Sequence, residues 1–226
     1  MSDFPFATIG FDLDGTLVDS NRDLCPAINH ALGLIGRETV STDATRRLIG
    51  GGAKLMLVRA LELTGGALPE DDLDALHGEL LLHYEAHIAD HTVPYPGCLE
   101  ALDALAARGC SLAVVTNKIE RFARKLLEEL GMANRFTAIL GGDTLGPGRG
   151  KPAPDMIEEA VRQCGAGAFA MVGDSSYDVR AAQAAGAPCV VLSYGYHDAP
   201  PRTLGAEAVI DHYDELIPVL EELGRR

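Results

Sequence analysis

Phe6 to Ser20, FATIGFDLDGTLVDS, leaves this chain few folds to choose from, because an apolar run ends there abruptly at an acid. Ile9, Phe11 and their apolar neighbours are rich in strand formers, and they predict a short buried strand that delivers Asp12 to its C-terminal edge. Asp14 follows two residues later. In extended backbone that spacing turns both carboxylates to the same side, and Gly15 permits a sharp bend immediately after them. Two like charges held so close are unfavourable unless a divalent cation, a shared proton or both neutralise them, and such an arrangement points to a working site.

Beyond this strand the chain changes character twice. From Asp19 to about Asp90 only helical periodicity is present: Leu24, Ile28, Ala31, Leu32 and Ile35, then Leu55, Val58 and Leu61 after Gly50-Gly51-Gly52, then Leu73, Leu76, Leu80, Tyr84 and Ile88. A block without strands cannot extend a sheet, so residues 20–92 are expected to form a separate all-helical unit. Thr92 to Gly97, TVPYPG, is a stiff return connector. After Gly97, helices alternate with apolar strands at Leu112–Thr116, Ala138–Leu140, Phe169–Val172, Pro188–Leu192 and Ala208–Ile210. That rhythm predicts an α/β core of residues 1–19 and 93–226 built on a parallel, doubly wound, Rossmann-like sheet, with ligands at the carboxyl ends of its strands.

The polar residues at those ends belong together. Asp12 and Asp14 end the first strand, Thr116 and Asn117 the second, and Asp174 follows Phe169 to Gly173. Lys151, in GKPAPD, precedes a helix and can approach the same edge, and Asp178 lies one helical turn beyond Asp174 if a helix starts near Ser176. Oxygen ligands select a hard cation such as Mg²⁺, which keeps room for waters and a phosphate oxygen. Asp12 or Asp14 can serve as nucleophile toward a phosphoryl group, and Thr, backbone amides and Lys supply donors to its equatorial oxygens.

Composition narrows the partners. A net charge of −14 leaves no basic patch for nucleic acid, and no apolar stretch approaches the roughly 20 residues of a membrane span. The opening MSDFPF shows neither a signal nor a transit pattern, and the five scattered cysteines contain no Cys-x-x-Cys pair, which fits reduced thiols in cytoplasm. Monomer and homodimer both stay open. His83, His87 and His91 share a helical spacing but lack the acid of a zinc protease motif, so they read as a solvated face. Gly50 to Lys54 and Gly146 to Lys151 lack the Ser or Thr and the glycine spacing of a P-loop.

Taken together, DLDGT at 12–16, VVTN at 114–117, GKPAPD at 150–155 and GDSSYD at 173–178 resemble the motifs of haloacid dehalogenase (HAD) superfamily phosphatases with a helical C1-type cap. LIGGGAKLMLVRAL at 48–61, YPGCLEAL at 95–102 and GGDT at 141–144 resemble bacterial phosphoglycolate phosphatases within that superfamily. The resemblance implies that Asp12 is the nucleophile and that Asp14 protonates the leaving alkoxide, then activates water. It implies that Thr116 and the Asn117 amide bind the phosphoryl group and that Lys151 offsets shared charge. Mg²⁺ would sit on the Asp12 carboxylate, the Asp14 carbonyl and Asp174, with Asp178 positioning a water or Lys151. The expected substrate is a small phosphate monoester, foremost 2-phosphoglycolate. Gly51 and Gly52 would offer amides to its short anionic tail, and Lys54 and Arg47 would add charge.

Three rivals share parts of this pattern. Other small sugar or nucleotide phosphates are possible substrates, and sugar phosphomutases resemble the chain too, but they carry a cap arginine near the position of Ala53. A dehalogenase has no use for Asp14. A receiver-type phosphoaspartate module would be about half as long, without inserted helices, and its metal acids would precede Thr and Lys.

Overall fold

Ile9 and Phe11 lie at the centre of a sheet, not at its edge. In the computed structural model, which describes residues 4–225, β1 (Thr8–Phe11) leads through β2 (Val18–Asp19) into four helices, α1 (Asn21–Leu34), α2 (Thr42–Arg46), α3 (Ala53–Thr64) and α4 (Glu70–Ala86). The chain returns by β3 (Val93–Pro94) and then alternates: α5 (Cys98–Ala107), β4 (Ser111–Val115), α6 (Glu120–Glu129), β5 (Ala138–Leu140), α7 (Asp155–Cys164), β6 (Phe169–Gly173), α8 (Ser176–Ala184), β7 (Cys189–Leu192), β8 (Ala208–Ile210) and α9 (Leu216–Leu223). Six strands form one parallel sheet in the order β5-β4-β1-β6-β7-β8. The doubly wound sheet with inserted helices is the architecture expected from the sequence.

Alternation along each strand divides the core into two layers. Ile9, Phe11, Leu112, Val114, Ala170 and Val172 face one way, toward α5, α6 and α9, while Ala113, Val115, Phe169, Met171 and Val191 face α7 and α8. Both faces are covered, which is why these strands read as continuous apolar runs. Connections leave β1 and β6 in opposite directions, so the crevice at their carboxyl ends is a topological switch point.

The inserted segment differs from expectation in two respects. Its helices are four, because Ser41 accepts a hydrogen bond from the Ala44 amide (3.1 Å) and starts the short α2 in what the apolar periodicity leaves as a linker. Its two connectors are not independent tethers: β2 and β3 pair antiparallel, Val18 with Pro94 and Asp19 with Val93, so the helices hang from a two-stranded ribbon. Ile28, Leu32, Leu57, Leu61 and Leu80 are buried between the helices, in an apolar cluster continuous with the first face of the sheet. No described helix is long and apolar enough to cross a membrane. Met1 to Asp3, at the start of MSDFPF, lie outside the described residues.

Position in this core sets the cost of truncation. Ile9→Ala, at a fully buried side chain of β1, is expected to lower unfolding free energy by about 2–5 kcal/mol. Leu63→Ala, on a side chain 64% exposed, stays within about 0.5 kcal/mol. Urea denaturation of both variants checks the pair.

Candidate active site

Asp12 leaves β1 with its amide bonded to the Val172 carbonyl of β6 (2.9 Å), which anchors the first acid to the switch point. Its Oδ1 accepts from the Leu13 amide (2.7 Å) and lies 2.9 Å from Lys151 Nζ. Lys151 is itself buried, and its ammonium donates to Asp178 Oδ1 at 2.5 Å. The other Asp178 oxygen accepts from the amides of Asp174 (3.1 Å) and Ser175 (3.0 Å) and from Ser175 Oγ (2.8 Å). Asp178 thereby caps α8 and orients Lys151 with the same carboxylate.

Burial governs the charges here. It pushes the Asp12 carboxyl up to about 6; Lys151 and Thr116 pull it down and Asp178 pushes it further up. Asp174 is raised well above the usual carboxylate range by burial first, then by Asp178 and Asp12. For Lys151, burial favours the neutral amine, but Asp12 and Asp178 overcome it and hold the ammonium above its ordinary value.

Asp174 sits where only glycine can pass. Gly15 adopts φ +87°, and a Cβ there would fall 2.2 Å from Asp174 Oδ2. The same oxygen accepts from the Tyr196 amide, and Thr16 Oγ1 donates to Oδ1 at 3.3 Å. Carboxylate oxygens of Asp12, Asp174 and Asp178 lie within 4.8 Å of one another, the one such group among the described residues. An all-oxygen set of buried acids fits a hard divalent cation. Asp178 already accepts four donors, three of them on one oxygen, whereas each Asp174 oxygen accepts one and the Asp12 partners gather on Oδ1, so Asp12 and Asp174 are the carboxylates with more capacity to hold it.

Asp14 does not join that cluster with its side chain. Its carboxylate turns to Ser20 Oγ (2.5 Å) and to Lys118 Nζ (2.8 and 2.9 Å). Lys118 was not among the expected site residues, although it directly follows VVTN; a cation next to a strand-end cluster was the available signal. Its ammonium lies 4.6 Å from the ring centroid of Tyr84, which α4 brings from the inserted segment. Burial alone would lower the Lys118 pKa, but Asp14 outweighs it and raises it.

The remaining expected residues divide into an inner and an outer group. Thr116 ends β4, with its amide on the Leu140 carbonyl (3.0 Å), and Asn117 Nδ2 donates to the Lys151 carbonyl (2.9 Å), tying two strand-end loops together. Gly51 and Gly52 come over Asp12, Asp14 and Thr116 and close a chamber of about 60 Å³. Gly51 has φ +79°, and a Cβ there would meet Leu55 at 2.7 Å and the Tyr177 hydroxyl at 2.9 Å. Arg59 pins this loop by donating to the carbonyls of Leu48 (3.0 Å) and Gly50 (3.1 Å) and to Tyr177 (3.3 Å). Lys54 instead pairs with Asp74 at 2.5 Å and lines an open outer groove of about 460 Å³, and Arg47 is exposed on the surface. The histidines do not converge on one point: His83 stacks on His30 (4.6 Å) and meets His87 at a tilt (4.8 Å), while His91 bonds Asp23 (3.0 Å).

The profile of the haloacid dehalogenase-like hydrolases matches residues 9–192. A phosphoglycolate phosphatase of Agrobacterium fabrum is 41% identical over 214 residues, covering 94% of this chain and 91% of that one. Another, of Rhodospirillum rubrum, is 42% identical over 212 residues, covering 91% and 87%. The crystal structure of a predicted phosphoglycolate phosphatase from Haemophilus somnus 129PT superposes with a TM-score of 0.87 at 31% identity, over 96% of this chain and 99% of that one.

Asp178→Asn tests how far the site and the fold share one ion pair. Removing the charge leaves a buried ammonium with only Asp12 opposite it, so a stability loss of about 3–5 kcal/mol is expected in denaturant titration. A loss under about 1 kcal/mol would show that the pair is dispensable for folding.

Proposed function

The chain belongs to the haloacid dehalogenase-like hydrolase family and is a phosphatase with an inserted helical cap, and we propose that it hydrolyses a small phosphate monoester, foremost 2-phosphoglycolate, with Mg²⁺ as cofactor. The observation that carries this reading is the small chamber: Asp12 and Asp14 face a space of about 60 Å³ roofed by Gly50 to Ala53. Pockets for larger ligands run to about 300 Å³ and above, so a hexose phosphate would crowd the glycine loop. Ala53 in that roof also offers no cation to grip a second phosphate, which favours hydrolysis over phosphoryl shuttling in a mutase. The phosphoglycolate phosphatases among its relatives support the choice of substrate.

In this mechanism an Asp12 carboxylate oxygen attacks phosphorus, the bond to the ester oxygen breaks, and Asp14 gives that oxygen a proton. Asp14 then takes a proton from water as the water attacks the phosphorus of the aspartyl phosphate, releasing inorganic phosphate and restoring Asp12. Lys151 keeps Asp12 Oδ1 in place through its 2.9 Å contact and offsets charge on the phosphoryl oxygens. Thr116 and the Asn117 amide bind those oxygens. Asp12 and Asp174, with the Asp14 carbonyl, would hold Mg²⁺, which supplies Lewis-acid charge to the phosphoryl group. Residues 20–92 form the lid, and Arg59 on Tyr177 fastens it over the core.

Three measurements test this. Asp12→Asn is expected to leave folding intact and to reduce steady-state phosphate release below about one-thousandth of wild type. Exhaustive chelation should abolish activity and added Mg²⁺ restore it, with Ca²⁺ inhibiting because its looser shell spoils in-line geometry. Specificity constants should rank 2-phosphoglycolate above glycerol phosphates, hexose phosphates and nucleoside monophosphates. A tenfold advantage for hexose phosphates would overturn the assignment, and an unchanged ranking in Gly51→Val would remove the role of the loop.

A further inference from the structure

Two buried ammoniums face the chamber, and only one is used by the mechanism above. Lys151 is held between Asp12 and Asp178. Lys118, with its side chain 6% exposed, has a single carboxylate partner, Asp14. An ammonium carries three donors, two of which reach the Asp14 oxygens, so one is left for a second acceptor. Beside it, the Tyr84 hydroxyl is buried in the chamber wall next to the Lys118 ammonium and has no acceptor for its own proton among the described residues. Burial pushes its pKa up to about 12, which keeps it a neutral donor.

Placement follows from the chemistry. Asp14 delivers its proton to the ester oxygen, so whatever is bonded to that oxygen must lie beside Lys118, the partner of Asp14. A carboxylate one carbon away comes within reach of Nζ while phosphorus remains at Asp12. The surrounding wall is apolar, formed by Leu24, Met56, Leu80 and Phe122, and an anion placed there without a cation would be costly. Cations of the inserted segment around the chamber are committed elsewhere: Arg59 to the Leu48 and Gly50 carbonyls, Arg46 to the Tyr194 carbonyl and Lys54 to Asp74 outside it.

Resting on the phosphatase reading above, we propose that Lys118 Nζ and the Tyr84 hydroxyl form the subsite for a carboxylate carried one carbon from the phosphate ester oxygen. The glycine loop then limits the size of the substrate, while this pair selects its charge. Because Tyr84 comes from α4 and Lys118 from the core, the subsite is complete only with the inserted helices seated.

The test compares kcat/KM for 2-phosphoglycolate and for ethyl phosphate, which keeps the ester and lacks the carboxylate, using the full chain with Mg²⁺. Wild type is expected to prefer 2-phosphoglycolate. Lys118→Met should lower that preference on the order of 10- to 100-fold, as loss of a charge-assisted bond requires. Disturbance of Asp14 affects both substrates and cancels in the ratio. Tyr84→Phe removes one atom whose proton has no acceptor in the free protein, so the fold is expected to survive, and the preference should fall about fivefold. A wild-type preference undiminished in both variants would overturn the subsite and leave the substrate assignment standing. A wild type indifferent to the carboxylate would bring down both.

Discussion

Lys151 lies 2.9 Å from Asp12 and 2.5 Å from Asp178, and its side chain and that of Asp178 are almost completely buried. An ammonium in that position costs several kcal/mol of desolvation, which only close and well-bonded carboxylates offset. Asp178 meets the requirement because its second oxygen is held by two amides and a hydroxyl at the start of α8. The ion pair therefore joins three separate parts of the chain: the end of β1, the loop before α7 and the first turn of α8. Whatever chemistry Asp12 performs depends on this arrangement, because the same ammonium restrains one of its two oxygens.

A second constraint is steric. Asp174 reaches the cluster because the bend after Asp14 carries no side chain; any Cβ at Gly15 would overlap its carboxylate. The Asp174 carboxylate is then bonded by the Tyr196 amide, and the Tyr196 hydroxyl donates to Asp19 Oδ1 (2.5 Å) while accepting from the Asn21 amide (2.9 Å). Arg46 of α2 lies over the Tyr196 ring at 5.1 Å and donates to the Tyr194 carbonyl (3.0 Å). Asp174 is thus linked through a single residue, Tyr196, to the ribbon that carries the inserted helices. The inserted helices and the site share a support.

The parts of this structure legible in the sequence are those encoded by local pattern. Apolar runs ending in Asp12, Thr116 and Asp174 are strand ends, and in a parallel sheet strand ends share an edge, so three separated motifs could be assembled without coordinates. Helical periodicity likewise separated the inserted block from the core. What escaped is set by side-chain partners distant in sequence. Nothing near Lys118 announces that its ammonium turns to Asp14 and the Tyr84 ring, and Lys54, expected to add charge beside the glycine loop, is drawn outward by Asp74. The β2–β3 pairing escaped for a related reason: two-residue strands carry no alternation to detect.

Charge is the last consideration that binds these pieces. Asp12, Asp14, Asp174 and Asp178 oppose Lys118 and Lys151, so four formal negative charges meet two positive ones before an anionic substrate arrives. Two like charges about 4 Å apart repel by about 4 kcal/mol at an effective dielectric constant of about 20. A phosphate dianion brought into that field has several such terms against it, and the two lysines already spend their attraction on the acids. The rise of the Asp12 and Asp174 carboxyls expresses the same excess from the protein's side. A divalent cation held among the oxygens would cancel the surplus and add attraction for a phosphoryl group. In a chain of net charge −14, affinity for an anion has to be built locally, and two buried ammoniums already paired with acids leave a divalent cation as the group that would supply most of it.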